Sequence, residues 1–151
     1  MALLAIFFAL LVGLLWGATG VERVEAAVYQ RMTIQSALAD LFRADVAAAV
    51  EAPAQWGDWT AGPTCLILRL GKERQVVYAW ENAELTRIEY TAAEPRSQPC
   101  PVGGEDIWVE FSRSGPRDRL ITMRLIETRG QGSAWKDYPV DIAAALGGDR
   151  Q

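Results

Sequence analysis

The first 52 residues constrain the fold of this chain more than anything after them. From Ala2 to Val21, "ALLAIFFALLVGLLWGATGV", no side chain is charged, and from Glu22 to Ala52 there is neither Gly nor Pro. About 20 apolar residues in a helix match a hydrocarbon core of about 30 Å. The second stretch is rich in Ala, Glu, Arg and Leu, and Pro53 closes it as a helix stop. Apolar residues recur there at helical spacing, through Val24, Ala27, Val28, Ile34, Leu38, Leu41, Phe42, Val46 and Ala49. The pattern predicts one continuous helix over residues 1–52, transmembrane at 2–21 and amphipathic at 22–52. At 1.5 Å per residue such a helix is about 75 Å long, so its second half needs a surface to lie against.

As a secretion signal the apolar run is too long, since that region is roughly 7 to 15 residues and follows a basic segment that is missing here. Small residues at Val24-Glu25-Ala26 keep cleavage open as an alternative. The missing basic flank also leads to the expectation that translation starts upstream of Met1. Arg23 and Arg31 follow the span and, by the positive-inside rule alone, put that side in the cytoplasm. Cys65 and Cys100 argue for the other side. They are the only cysteines, and with no CxxC and no His they do not make a zinc site. A disulfide in an exported domain is the expectation, with two buried free thiols as the alternative.

Beyond Pro53 the period changes from helical to alternating. Thr64–Leu70, Gln75–Glu81 and Leu85–Tyr90 read as an antiparallel meander, separated by "GKER" and "NAE" turns. After the Pro-rich "AAEPRSQPCPVGGED" come strands at Ile107–Phe111 and Arg119–Thr128, and a segment at Asp137–Leu146 that reads as strand or, from Asp141, as helix. The predicted class is α+β: a long N-terminal helix whose outer half packs on one antiparallel sheet, with residues 53–151 as a β-rich globular domain.

Charge and motif content exclude several functions. All 15 basic and 19 acidic side chains lie beyond Val21, and the net charge of −4 with no basic cluster gives nucleic acid no footprint. No hydrolase, zinc-protease or phosphate-loop motif is present, and no His is available as a base, so no catalytic, cofactor-binding or metal residue is assigned and no small-molecule substrate is expected. Ser114 in "SRSGPRD" reads as turn chemistry. Glu105 and Asp106 in "GGED" read as a solvated loop, because Ca²⁺ needs six to eight oxygens. Ala9, Gly13 and Gly17, four apart, offer a small-residue face on which another membrane helix can pack, or are simply tolerated there. Trp80 and Trp108 sit in strands, where core packing accounts for them; Trp56 and Trp59 in "QWGDWTAGP" are the candidates for an exposed partner surface.

The helix with its "ALADLFRADV" segment (Ala37–Val46), followed by "VVYAWENAELTRIEY" (Val76–Tyr90), resembles the type IV pilin-like proteins. Within that family it is most similar to the J-type minor pseudopilins of type II secretion. The chain departs from the family at its start, where the basic leader is absent and Ala5 stands in place of a glutamate, so leader processing and filament register are not carried over. The resemblance implies a structural subunit of a secretion pseudopilus or related filament, single-pass in a bacterial inner membrane. Its globular domain would be periplasmic, and its partners would be other pilin-like subunits met through the N-terminal helix. The alternative is a monomeric, membrane-anchored envelope binding module.

Overall fold

A computed structural model describes residues 28–71, 73–131 and 134–147. The predicted membrane run at 2–21, with Ala9, Gly13 and Gly17, lies outside the described residues. Described helical backbone runs over residues 28–48 (α1). Among the described residues nine strands follow: β1 Gln55–Trp56, β2 Trp59–Thr60, β3 Cys65–Arg69, β4 Gln75–Glu81, β5 Glu84–Tyr90, β6 Arg96–Pro99, β7 Ile107–Ser114, β8 Leu120–Gln131 and β9 Ala134–Ala145. They pair antiparallel in three sheets: a β1-β2 ribbon, a four-stranded sheet β3-β4-β5-β6 and a three-stranded sheet β7-β8-β9.

This corrects the expectation of a long N-terminal helix to residue 52 carrying a single sheet. Among the described residues α1 ends at residue 48, the strands form three sheets, and no helix is long and apolar enough to cross a membrane. The helix ends early because sheet pairing captures the chain. Val50 N–H donates to the Arg69 carbonyl (2.8 Å) and Arg69 N–H to the Glu51 carbonyl (2.9 Å), so residues 50–51 run along the β3 edge. The Val46 carbonyl at the helix terminus accepts from Ala49 N–H (3.2 Å) and also from Gly147 N–H (3.3 Å) just beyond β9. Residues 137–146, read as strand or helix, are strand to Ala145.

The α1 face made of Leu38, Ala39, Phe42 and Val46, with Ala49 just beyond the helix, is buried on both larger sheets at once. From the four-stranded sheet it meets Leu66, Leu68, Val76, Tyr78 and Leu85; from the three-stranded sheet, Val109, Phe111, Met123, Leu125 and Ile142. The sheets approach through β3 and β7, where Phe111 N–H donates to the Pro63 carbonyl (2.7 Å). Register puts Ile67, Val77, Ala79, Ile88 and Tyr90 on the opposite face of the four-stranded sheet. Ile67 and Val77 are nonetheless fully buried, outside the main cluster. The β1-β2 ribbon reaches that face: Trp59 Nε1–H donates to Tyr90 Oη (2.8 Å), and Trp56 stands edge-on to the Tyr90 ring at 4.6 Å.

Candidate functional site

Sequence reasoning did not anticipate the polar cluster at the heart of the fold. Asp45 lies in the buried stripe of α1, one position before Val46, and accepts from three donors. Arg87 Nε and Nη2 reach its two oxygens at 2.6 and 2.9 Å, and Tyr78 Oη donates at 2.7 Å. Arg87 continues to Glu89 (3.0 Å), which also accepts from Arg74 (2.6 Å). The hydrogen bond to Asp45 raises the Arg87 guanidinium further above its already high value. Burial, then the Asp45 charge, pushes the Tyr78 hydroxyl well up. Both shifts hold Arg87 charged and Tyr78 neutral, which suits a clamp fixing α1 to β4 and β5 rather than proton transfer. The signal was available: Asp45 is a charge three positions after Phe42 in an apolar helical stripe, and Leu85-x-Arg87 puts an arginine on the inward face of a strand.

Two open grooves flank the first described turns of α1. One groove, of about 600 Å³, separates Gln30, Arg31 and Ile34 from the β4-β5 turn and the 99–105 loop. The other, of about 650 Å³, separates Val28, Met32 and Gln35 from the three-stranded sheet. The sheet register explains the second groove. The rows Ile107-Glu127-Tyr138 and Val109-Leu125-Val140 face the helix, and α1 covers the β7 and β8 members but not those of β9. Tyr138 and Val140 are left 46% exposed, while Val28, Tyr29 and Met32 on the helix are 52, 70 and 62% exposed. Val28, predicted for the buried stripe, is therefore on the surface.

Arg31 stands between the grooves and bonds Glu127 of β8. Arg129 holds the same carboxylate from the other side (2.7 Å), and hydrogen bonding from Arg129 and then Arg31 keeps Glu127 below the usual carboxylate range. Arg129 and Lys136 lie over the Tyr138 ring, 5.7 and 5.4 Å from its centre. The "GG" of "GGED" belongs to this arrangement. A Cβ at Gly103 would sit 3.0 Å from Arg31 Cγ, and one at Gly104 would sit 3.3 Å from Arg31 Nη2, so the loop packs directly on the arginine. Among the described residues no three His, Cys, Asp or Glu side chains converge on a metal position.

The structure does not bring the remaining candidates together. Cys65 and Cys100 are free thiols, against the expected disulfide. Cys65 aligns across the sheet with Ala79, Thr86 and Pro99, so three strand spacings, about 14 Å, separate β3 from β6. A disulfide needs Cα atoms within about 7 Å. Burial pushes both thiols up, so neither is an activated nucleophile. Trp56 and Trp59, expected at a partner surface, are half-buried on Tyr90 and line neither groove. Trp80 is core, while Trp108 is half-exposed on the outer face of its sheet. Ser114 is exposed at the end of β7. Comparison with family models, with curated proteins and with solved structures finds no match to this chain.

Proposed function

We propose that this chain is a structural subunit of a pilin-like assembly, a minor component of a type II secretion pseudopilus or related filament. The observation that carries the reading is the apolar ridge Val28-Tyr29-Met32, exposed at the start of the described helix and flanked by a groove on each side. A ridge between grooves is a shape that packs among other helices. Contact between the two segments that carry the resemblance adds support: Phe42 of Ala37–Val46 meets Tyr78 of Val76–Tyr90 edge-on at 5.7 Å, and Asp45 binds Arg87. On this reading the charge-free residues 2–21 hold the chain in the inner membrane, and the ridge meets other pilin-like subunits. The periplasmic side is taken from the resemblance alone, because the free thiols withdraw the disulfide argument. The chain acts through contact and not through catalysis.

The test is a photo-crosslinking residue at Tyr29 in cells that carry the secretion apparatus, together with Tyr29→Glu and Met32→Glu. The expected result is an adduct with another pilin-like chain, and loss of secretion or filament formation in variants that still fold. Unchanged assembly in both variants, with no protein adduct at Tyr29, discards the reading.

A further inference from the structure

We infer that the groove between α1 and the uncovered residues Tyr138 and Val140 of β9 is a self-association site, which receives the α1 ridge of a second copy of this chain. The inference rests on the assembly reading above and names the partner at one of its surfaces. Both halves of an isologous contact are present on one chain: an apolar ridge, Val28, Tyr29 and Met32, and an apolar floor, Tyr138 and Val140. A twofold axis that lays the ridge of one copy on the floor of the other generates the reciprocal contact and closes the pair.

Charge selects the same occupant. The floor is rimmed by Arg31, Arg129 and Lys136 against one described carboxylate, Glu127, an excess of positive charge. The sequence leading into the ridge carries Glu22 and Glu25 against Arg23, an excess of negative charge. An incoming helix with a basic approach would meet like charge at the same rim.

The experiment mixes two full-length single variants in detergent, Met32→Cys and a differently tagged Val140→Cys, and measures the mixed disulfide on mild oxidation. Both sites are exposed, so both variants are expected to fold, with circular dichroism as the check. The control pair replaces Val140→Cys with Ser112→Cys, on the opposite face of the same sheet. The mixed adduct is expected to exceed the control several-fold. It should fall to the control level when Arg129→Glu and Lys136→Glu are added to the Val140→Cys chain, and return when Glu22→Lys and Glu25→Lys are added to the Met32→Cys chain. An adduct no greater than the control, or one indifferent to charge reversal as association through residues 2–21 alone would give, overturns the inference. A Tyr29 adduct with another chain, without this copy-to-copy adduct, removes the inference and leaves the assembly reading. The copy-to-copy adduct with unchanged assembly in Tyr29→Glu does the reverse.

Discussion

Asp45 is buried with its two oxygens taken by Arg87 and Tyr78, so its loss leaves buried donors without their acceptor. Removing one partner of a buried ion pair leaves the other charge desolvated and uncompensated, at a cost of about 3–5 kcal/mol. Asp45→Ala is therefore expected to lower unfolding stability toward the lower end of that range in urea, because the Arg87 guanidinium loses both bonds to Asp45 and keeps only the one to Glu89. Tyr78→Phe removes one hydrogen bond to a charged acceptor, and about 1.5–3 kcal/mol is expected. The informative variant is the double one, Asp45→Leu with Arg87→Met, which deletes both charges and keeps apolar volume. It is expected to be more stable than either single replacement. A double variant as damaged as the sum of its parts would show that the pair supports the fold through more than mutual compensation.

At the scale of elements, the β4-β5 hairpin shows what the sequence makes legible and what it hides. Strand β4 has the bounds the sequence predicts, Gln75–Glu81, and the "NAE" turn was readable from Asn82. The pairing of Glu81 with Glu84 leaves a two-residue turn, and both Asn82 (φ 53°) and Ala83 (φ 61°) are left-handed. Asn adopts that region readily, whereas Ala does so at a cost of roughly 1–2 kcal/mol. Ala83→Gly is expected to stabilise the protein by up to about 1 kcal/mol, since the freer unfolded chain offsets part of the relief. Thermal melting that shows no gain would mean the turn relaxes around alanine without strain. The elements that escaped sequence reading are those with little periodicity to show. The strands β1 and β2 hold two residues each, and β6 is a fully exposed strand inside a Pro-rich stretch. The end of α1 escaped for another reason: Val50 and Glu51 suit a helix locally, and only their pairing with Arg69, distant in sequence, makes them sheet. The grooves depend on which strands the helix covers, which no local pattern encodes.

Across the whole molecule, arginine-carboxylate pairs tie together elements that the apolar core already brings near each other. Glu89 is held by Arg87 and Arg74, Glu127 by Arg129 and Arg31, and Asp141 by Arg124. Hydrogen bonding from these arginines keeps all three carboxyls below their usual range, with Arg87 acting first on Glu89, Arg129 on Glu127 and Arg124 on Asp141. A carboxyl whose folded value is depressed contributes stability that is fully present above its unfolded value. That contribution is lost as pH falls through the folded value. Unfolding stability attributable to these pairs is therefore expected to hold from neutrality to about pH 5 and to decline from there toward about pH 3. The pairs should not share the decline equally. Arg124 and Asp141 are half-exposed, so water and salt screen them. Glu89, bonded to the buried Arg87, is better shielded. Urea titrations at stepped pH should show Glu89→Gln flattening the acid slope more than Asp141→Asn does, and added salt should weaken only the contribution of the exposed pair. Equal slopes in wild type and Glu89→Gln would place the acid sensitivity elsewhere, and the Arg87-Glu89 contact would then be a consequence of the fold and not a support for it.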